Sequence, residues 1–203
     1  MPRPRSLSTS ALAVAALTVI DRDGLGALSM RAVAAELGMA TMSLYRYVTD
    51  REQLEGLVVD LVLSEVDIEP PPGLQWREQV TVMVDRVRTA VGGHPEVVPL
   101  TMTHRHTSVS LLRWTEALLR VLTQAGFAGE RRVLALRAVL SHTVGSLQLQ
   151  YLGPLAGAGT ASMAALSPGD YPLLAETART ARRVPPDEEF QHGMAALLSG
   201  LTP

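Results

Sequence analysis

The sequence predicts an all-α protein, with a small N-terminal three-helix module that contains a helix-turn-helix and a larger helical domain after it. Apolar residues recur at helical spacing along most of the chain, and glycine or proline separates the successive runs. Of the 203 residues, 47% are hydrophobic and only 4% are aromatic, so the core must consist mainly of leucine, valine and alanine. We place the boundary between the domains after residue 51, giving 1–51 and 52–203.

The composition excludes several classes of protein. The chain has no cysteine, which rules out a disulfide framework and a thiolate metal site and requires no oxidising compartment. The apolar run near the N-terminus resembles a signal peptide, but Thr18 interrupts it and Asp21 closes it, so we interpret it as the first helix. No apolar stretch reaches membrane length. We therefore expect a cytoplasmic protein with no membrane partner.

Residues 29–48, SMRAVAAELGMATMSLYRYV, have the pattern of two short helices joined by a glycine turn. Ser29 is a good N-cap for the first helix, and Gly38 tolerates the left-handed conformation that a tight turn needs. Leu44 and Val48 form a buried i, i+4 pair on the second helix. Hydrogen-bonding side chains suited to bases and phosphates remain on outward positions: Arg31, Thr41, Ser43, Tyr45, Arg46 and Tyr47.

The flanking segments extend this pattern to a three-helix module. A capped apolar helix from about Ser8 to Arg22 precedes it, and Asp50 opens another helix directly after it. Residues 1–51 contain six arginines and four carboxylates, a net charge of +2, although the whole chain has a net charge of −2. The module is therefore the basic part of the chain, as a nucleic-acid binder requires.

The segment LYRYVTDREQL, residues 44–54, resembles the signature of the tetracycline-repressor-like (TetR) transcriptional regulators. The resemblance implies that Tyr45, Tyr47 and Arg51 contact DNA phosphates. It also implies that Arg31 and Thr41 reach bases or backbone. The full set of DNA-binding candidates is Ser29, Arg31, Thr41, Ser43, Tyr45, Arg46, Tyr47 and Arg51.

The larger domain divides into long apolar helices separated by Pro- and Gly-rich breaks. The predicted helices are Glu52–Val66, which joins the module to the core, then 76–92, Ser108–Gln124, Glu130–Tyr151 and about Pro186–Leu201. Residues 153–172, rich in Gly, Ala, Ser and Pro, are expected to form a long loop. The helix after Glu130 has apolar residues on most faces, so we expect it to be central or to lie in a subunit interface.

Residues 125–150 resemble the regulatory core of the tetracycline repressor subgroup, with a GF turn followed by a long helix that contains SHTVG. This resemblance implies a homodimer in which that helix and the last one form a four-helix bundle with their symmetry mates. A two-fold dimer suits a palindromic double-stranded DNA operator. The two resemblances together predict a ligand-responsive repressor that a small molecule releases from its operator.

Candidate ligand-binding residues form a mostly apolar set with a few polar groups, as small-molecule sites usually do. They are Met83, Val87, Met102, His104, Trp114, Leu118, His142 and Gln148. The resemblance places Met102 and Leu118 where tetracycline-binding relatives have the histidine and glutamine that hold the drug and its magnesium. We therefore expect a more apolar effector, with no metal and no cofactor.

Two other classes of function remain open at this point. A small helical enzyme would need some of its five histidines to act with carboxylates as acid and base, but no nucleophile motif, phosphate loop or paired carboxylates accompany them. A helical interaction module that never binds DNA is the other alternative. The His104-x-His106 pair is a weak hint of a metal site, since no clear further ligand lies nearby in the sequence.

Overall fold

The computed structural model describes residues 8–151 and 157–203, and within these ranges the chain is all-helical, as predicted, with no strand. Short 3-10 turns cover Leu25–Ala27 and Pro95–Val97. The α-helices described are α1 (Thr9–Asp23), α2 (Met30–Glu36), α3 (Thr41–Leu44), α4 (Arg51–Ser64), α5 (Trp76–Gly92), α6 (Val98–Thr103), α7 (Val109–Gln124), α8 (Gly129–Tyr151), α9 (Ala158–Ala164), α10 (Pro172–Ala181) and α11 (Pro186–Gly200).

Side-chain caps start the helices of the N-terminal module where the sequence predicts them. The Ser8 and Ser29 hydroxyls each accept a hydrogen bond from the backbone N–H three residues later, at 3.1 Å. The Asp50 carboxylate accepts from the Gln53 N–H at 2.8 Å, and the Gln53 side chain accepts in turn from the Thr49 N–H at 2.7 Å. These caps satisfy N–H groups that have no partner inside the helix, so the predicted helix starts are confirmed.

The described chain divides into two compact units. The N-terminal unit consists of the described residues up to Glu69 together with Asp85–Leu118, and the C-terminal unit consists of Pro70–Val84 together with Leu119–Pro203. This division falls inside α5 and α7 rather than after residue 51. The N-terminal unit is larger than the predicted module because α4 packs along α1 and also against α6. The functional division into 1–51 and 52–203 stays a prediction.

The core of the N-terminal unit lies where α1 packs against α2 and α4. Full burial of a leucine or valine side chain stabilises the fold by about 1.5–3 kcal/mol before entropic costs. The completely buried side chains include Leu12, Val19 and Ile20 of α1, Val33 of α2, and Leu54, Val58 and Val59 of α4. Leu44 and Val48, the predicted pair of the second motif helix, are 0% and 2% exposed.

The C-terminal unit is held by the packing of α8 on α11 and of α9 on α10. At the start of α5, the Trp76 ring meets the Phe127 ring edge-on, with centroids 5.2 Å apart. The Arg77 guanidinium lies 4.4 Å from the Trp76 ring centroid, and its Nε donates to the Leu198 carbonyl at 2.9 Å. This cluster ties the beginning of α5 to the end of α11.

Three parts of the chain differ from the sequence-based expectation. The predicted loop 153–172 contains α9, and α10 begins at its last residue; residues 153–156 of that segment lie outside the described range. Apart from Met163, α9 is made of small residues; it packs against α10, and its Thr160 is buried. α6 lies between the predicted helices 76–92 and Ser108–Gln124, where no helix was predicted, and Pro99 falls in its first turn, where proline is tolerated. α3 is only four residues long and continues as a turn.

The close packing of α8 on α11 depends on a glycine. His142 on α8 is half-buried, stacks on Phe190 with ring centroids 5.3 Å apart, and lies 3.3 Å from the Phe190 carbonyl through Nε2. A Cβ at Gly193 would lie 2.5 Å from the Cε1 atom of His142. Any side chain at position 193 would therefore displace the imidazole.

We expect Gly193→Ala to destabilise the protein by about 1–2 kcal/mol. Overpacking against His142 costs about 1–3 kcal/mol, and the higher helix propensity of alanine offsets up to about 1 kcal/mol of it. Gly56→Ala in α4 is the matched control, because its Cβ would meet the nearest His104 atom at an ordinary 3.6 Å. Denaturant unfolding should show a lower midpoint for Gly193→Ala and an unchanged or higher one for Gly56→Ala. An equal rise of the unfolding midpoint in both variants would contradict this account of the α8–α11 packing.

Candidate nucleic-acid interface and effector cavity

The turn between α2 and α3 has the geometry that a helix-turn-helix requires. Gly38 has φ of +64°, which the glycine predicted at this position adopts without a steric penalty. The Met39 N–H donates to the Ala34 carbonyl at 2.9 Å, and the Gly38 N–H donates to the Ala35 carbonyl at 3.0 Å. These two bonds form a Schellman motif, which ends α2 and directs the chain into α3.

The segment from α3 to Val48 buries one face and exposes the other. Leu44 and Val48 point into the core, whereas Arg46 is exposed and Tyr45 is 48% exposed. Thr41, Ser43 and Tyr47 are half-buried. Met42 is 77% exposed, and sequence reasoning omitted it because it is apolar. Its i, i+4 spacing from Arg46 was the available signal, since that spacing places both on one helical face.

Two of the predicted DNA-binding residues also make hydrogen bonds within the protein. The Ser29 hydroxyl caps α2, as described above. Arg51 donates through Nε to the Glu55 carboxylate at 2.7 Å and through Nη2 to the Leu25 carbonyl at 3.2 Å. Arg51 therefore attaches the start of α4 to the turn between α1 and α2. Arg31 is exposed on α2.

An exposed ion-pair cluster joins α1 to α2. Arg22 donates through Nε and Nη2 to the Asp23 carboxylate and through Nη1 to the Glu36 carboxylate at 2.8 Å. The hydrogen bonds with Asp23, followed by those with Glu36, raise the pKa of Arg22 above its ordinary value. The hydrogen bond from Arg22 lowers the pKa of Asp23. Asp23 is therefore expected to stay ionised beside Arg22 at neutral pH.

The eight predicted ligand-binding residues are divided between the two compact units. Val87, Met102, His104, Trp114 and Leu118 belong to the N-terminal unit, and Met83, His142 and Gln148 belong to the C-terminal unit. Most of them are buried, but Met102 is 39% exposed and Gln148 is exposed. Their convergence on one effector pocket stays a prediction.

A cavity of about 390 Å³ lies in the C-terminal unit between α8 and α11. Of the predicted ligand-binding residues, His142 lines it. The other lining residues are Ser141, Gly145, Ser146, Leu149, Gln150, Val184, Pro186, Glu189, Phe190 and Gly193. Sequence reasoning missed these, although Ser141 and Gly145 are small residues one turn apart, and such spacing makes room beside a helix.

A polar cleft of about 420 Å³ lies in the N-terminal unit beside the start of α4. His104 lines it and is 3% exposed, with its Nε2 atom 3.3 Å from the Glu55 carboxylate. On the same cleft the Asp60 carboxylate accepts hydrogen bonds from the Ser108 hydroxyl at 2.6 Å and from the Ser110 N–H at 3.0 Å.

Neither a metal site nor a membrane span is found among the described residues. No group of three or more His, Asp or Glu side chains in residues 8–151 and 157–203 is placed to hold a metal ion. None of the helices described there combines the length and the apolarity that crossing a membrane requires.

Two family models match the chain. The model described as bacterial regulatory proteins, tetR family, matches residues 12–54, which include the helix-turn-helix. The model described as the tetracyclin repressor-like C-terminal domain matches residues 69–203. Together they cover most of the chain, on both sides of the connecting helix α4.

Individual relatives agree with the family models. An HTH-type transcriptional regulator of Saccharopolyspora erythraea is 29% identical over 83% of this chain and 74% of its own length. The transcriptional repressor DrrR1 of Streptomyces coeruleorubidus is 28% identical over 98% of this chain and 78% of its own length. ActR of Streptomyces coelicolor, solved in complex with actinorhodin, is 27% identical with a TM-score of 0.82, covering 98% of this chain and 96% of that one.

The apo form of ActR gives a similar result, with 28% identity, a TM-score of 0.81, and coverage of 96% of this chain and 94% of that one. These relatives are transcriptional regulators, and the family binds operator DNA, dimerises and responds to small molecules. The match of the C-terminal family model alone spans more than half of the residues. The chain therefore belongs to the TetR family of bacterial regulatory proteins.

Proposed function

We propose that this protein is a cytoplasmic, homodimeric transcriptional repressor that a small, mostly apolar molecule releases from a palindromic operator. The observation that carries the proposal is the helix-turn-helix with its Gly38 turn and its exposed polar face, in a chain of the TetR family. The relative DrrR1, a transcriptional repressor, supports repression rather than activation. Because the relatives are regulators, we do not propose an enzymatic activity.

Operator binding requires the exposed face of the segment from α3 to Val48 to enter a major groove, as recognition helices do. Arg46 offers a guanidinium that can bind a guanine edge or a phosphate, and Tyr45 and Tyr47 offer hydroxyls. In a two-fold dimer the same face occurs twice, so the half-sites of the operator are related by a palindrome. Their centres would lie about 34–36 Å apart, or a multiple of that distance.

For the effector, we propose a mostly apolar molecule with a few polar groups. ActR was solved with actinorhodin and with (S)-DNPA, so a relative of this similarity binds small organic molecules. In this chain Met102 and Leu118 carry no group that could bind a metal chelate. His142 supplies a polar group in the α8–α11 cavity, beside the apolar surface of Leu149 and Phe190. Release requires the effector to bind the arrangement that cannot bind DNA more tightly than the one that can.

The first test is selection of duplexes from a random DNA pool by the purified protein at physiological salt. Enrichment of a palindrome is the expected result. Retention that is weak, independent of sequence and abolished by salt would instead favour a helical interaction module that does not read DNA.

We expect Arg46→Ala to weaken binding to the selected duplex about tenfold and to reduce the salt slope of log K by about 1, because one guanidinium no longer contacts the DNA. Arg113→Ala is the matched control, because it removes the same charge from an exposed position on α7. Fluorescence anisotropy at several salt concentrations measures both quantities. Equal salt slopes of log K in the two variants would show that Arg46 does not contact the DNA.

For the homodimer, we propose an interface formed by α8 and α11. The N-terminal half of α8 exposes Val133 and Leu134, which are 44% and 56% exposed. Exposed apolar side chains can mark a surface that a partner covers. The resemblance of residues 125–150 to the tetracycline repressor subgroup, in which this helix pairs with its symmetry mate, favours α8 over α7 for that surface.

We expect Leu134→Glu to shift the protein from dimer to monomer, because a buried unpaired carboxylate would oppose association. Leu112→Glu, at a 49% exposed leucine on α7, should leave the dimer intact. Analytical ultracentrifugation at micromolar concentration distinguishes the two states. A dimer that survives Leu134→Glu, or dissociates only with Leu112→Glu, would place the interface elsewhere.

A further inference from the structure

The turn between α1 and α2 is held by side chains from other elements. The Leu25 N–H donates to Oε2 of Glu96 at 3.2 Å, and the Leu25 carbonyl accepts from Nη2 of Arg51 at 3.2 Å. Leu25 begins a 3-10 turn, so its N–H has no partner inside that turn, and the preceding Gly24 has no side chain to cap it. Glu96, 71 positions along the chain, supplies the acceptor.

Arg51 is in turn positioned by Glu55, which also contacts His104. One carboxylate oxygen of Glu55 accepts from Nε of Arg51 at 2.7 Å, and the other lies 3.3 Å from Nε2 of His104. His104 follows α6 directly and is 3% exposed, so its ring has little freedom to turn away. A continuous series of polar contacts therefore runs from His104 through Glu55 and Arg51 to Leu25.

A third contact reaches the same region from His94. Its Nδ1 atom lies 2.8 Å from one oxygen of Asp21 and 3.1 Å from the other. Asp21 is near the C-terminal end of α1, where a negative charge is unfavourable with respect to the helix dipole. His94, Glu96 and His104 all belong to the segment 94–104, which we call the bracket segment. The beginning of the bracket segment, with His94 and Glu96, contacts the α1–α2 region directly. Its last residue, His104, contacts that region indirectly, through Glu55 and Arg51.

We propose that Glu96 and His104 are positioning residues for DNA binding, which act from the two ends of the bracket segment to fix the Leu25 turn. Glu96 acts on the N–H of Leu25, and His104 acts through Glu55 and Arg51 on its carbonyl. The turn leads directly into Ser29 and α2, so it sets the direction in which the helix-turn-helix starts. A carboxylate is repelled by DNA phosphates, so Glu96 can favour binding only through its effect on the protein. The inference rests on the proposed function.

Glu96 gives the first arm of the test, with the palindromic duplex selected by the unmodified protein as the probe. Glu96→Ala should weaken binding about fivefold, the equivalent of one net hydrogen bond. Glu96→Gln should bind within about twofold of the unmodified protein, because its amide oxygen can accept from the Leu25 N–H. Glu116→Ala removes the same charge from an exposed position on α7 and should bind at least as tightly as the unmodified protein.

The second arm is a double-mutant cycle between His104 and Arg51. His104→Leu should weaken binding in the unmodified background and have no further effect when Arg51→Ala is present, because the effect passes through Arg51. His104→Gln, which keeps a donor, should restore part of the loss. If His104 only stabilised the fold, His104→Leu would reduce DNA affinity by the same factor in both backgrounds, and the loss would follow the fall in melting temperature.

The outcomes separate this inference from the proposed function. If the unmodified protein selects no palindrome, both are overturned. If it does, but Glu96→Ala binds like Glu116→Ala, the positioning role of Glu96 is overturned while the repressor proposal stands. Because Glu96 is exposed, this arm does not depend on whether the variant at the buried His104 folds. An undiminished effect of His104→Leu in the Arg51→Ala background would overturn the role of His104.

Discussion

The packing of α4 against α1 is the constraint on which the rest of the N-terminal unit depends. α4 begins directly after the helix-turn-helix, and its Leu54 and Val58 are completely buried, as are Leu12 and Val19 of α1. Such close-packed interiors deform little, so a shift of α4 must be transmitted to α1 rather than absorbed between them. The orientation of α2 and α3 therefore follows from the position of a helix that also packs against α6.

Two polar side chains that a DNA-binding protein would present to its operator already make hydrogen bonds within the module. The Ser29 hydroxyl caps α2, and two donors of Arg51 bind Glu55 and the Leu25 carbonyl. Such preorganisation reduces the side-chain entropy that binding would otherwise cost. The exposed side chains of Met42, Tyr45 and Arg46 are then the part of the surface most able to adapt to a particular base sequence.

The C-terminal unit combines tight packing with open space along the same pair of helices. Gly193 lets the His142 ring lie against α11, while Ser141, Gly145 and Ser146 leave room for a cavity beside it. Small residues on facing helices allow both close approach and voids, depending on where the large side chains fall. Phe190 both stacks on His142 and lines the cavity, so packing and cavity shape are coupled at one residue.

The sequence by itself determined the features that arise from local interactions. The all-α class, the caps at Ser8, Ser29 and Asp50, and the left-handed Gly38 each depend on residues within about one helical turn, which a sequence pattern records. Only the tertiary structure decided that α9 packs on α10, that His142 lines a cavity beside α11, and that Glu96 reaches Leu25. These features depend on groups that are distant in the chain and close in space, and no local periodicity encodes such a pairing.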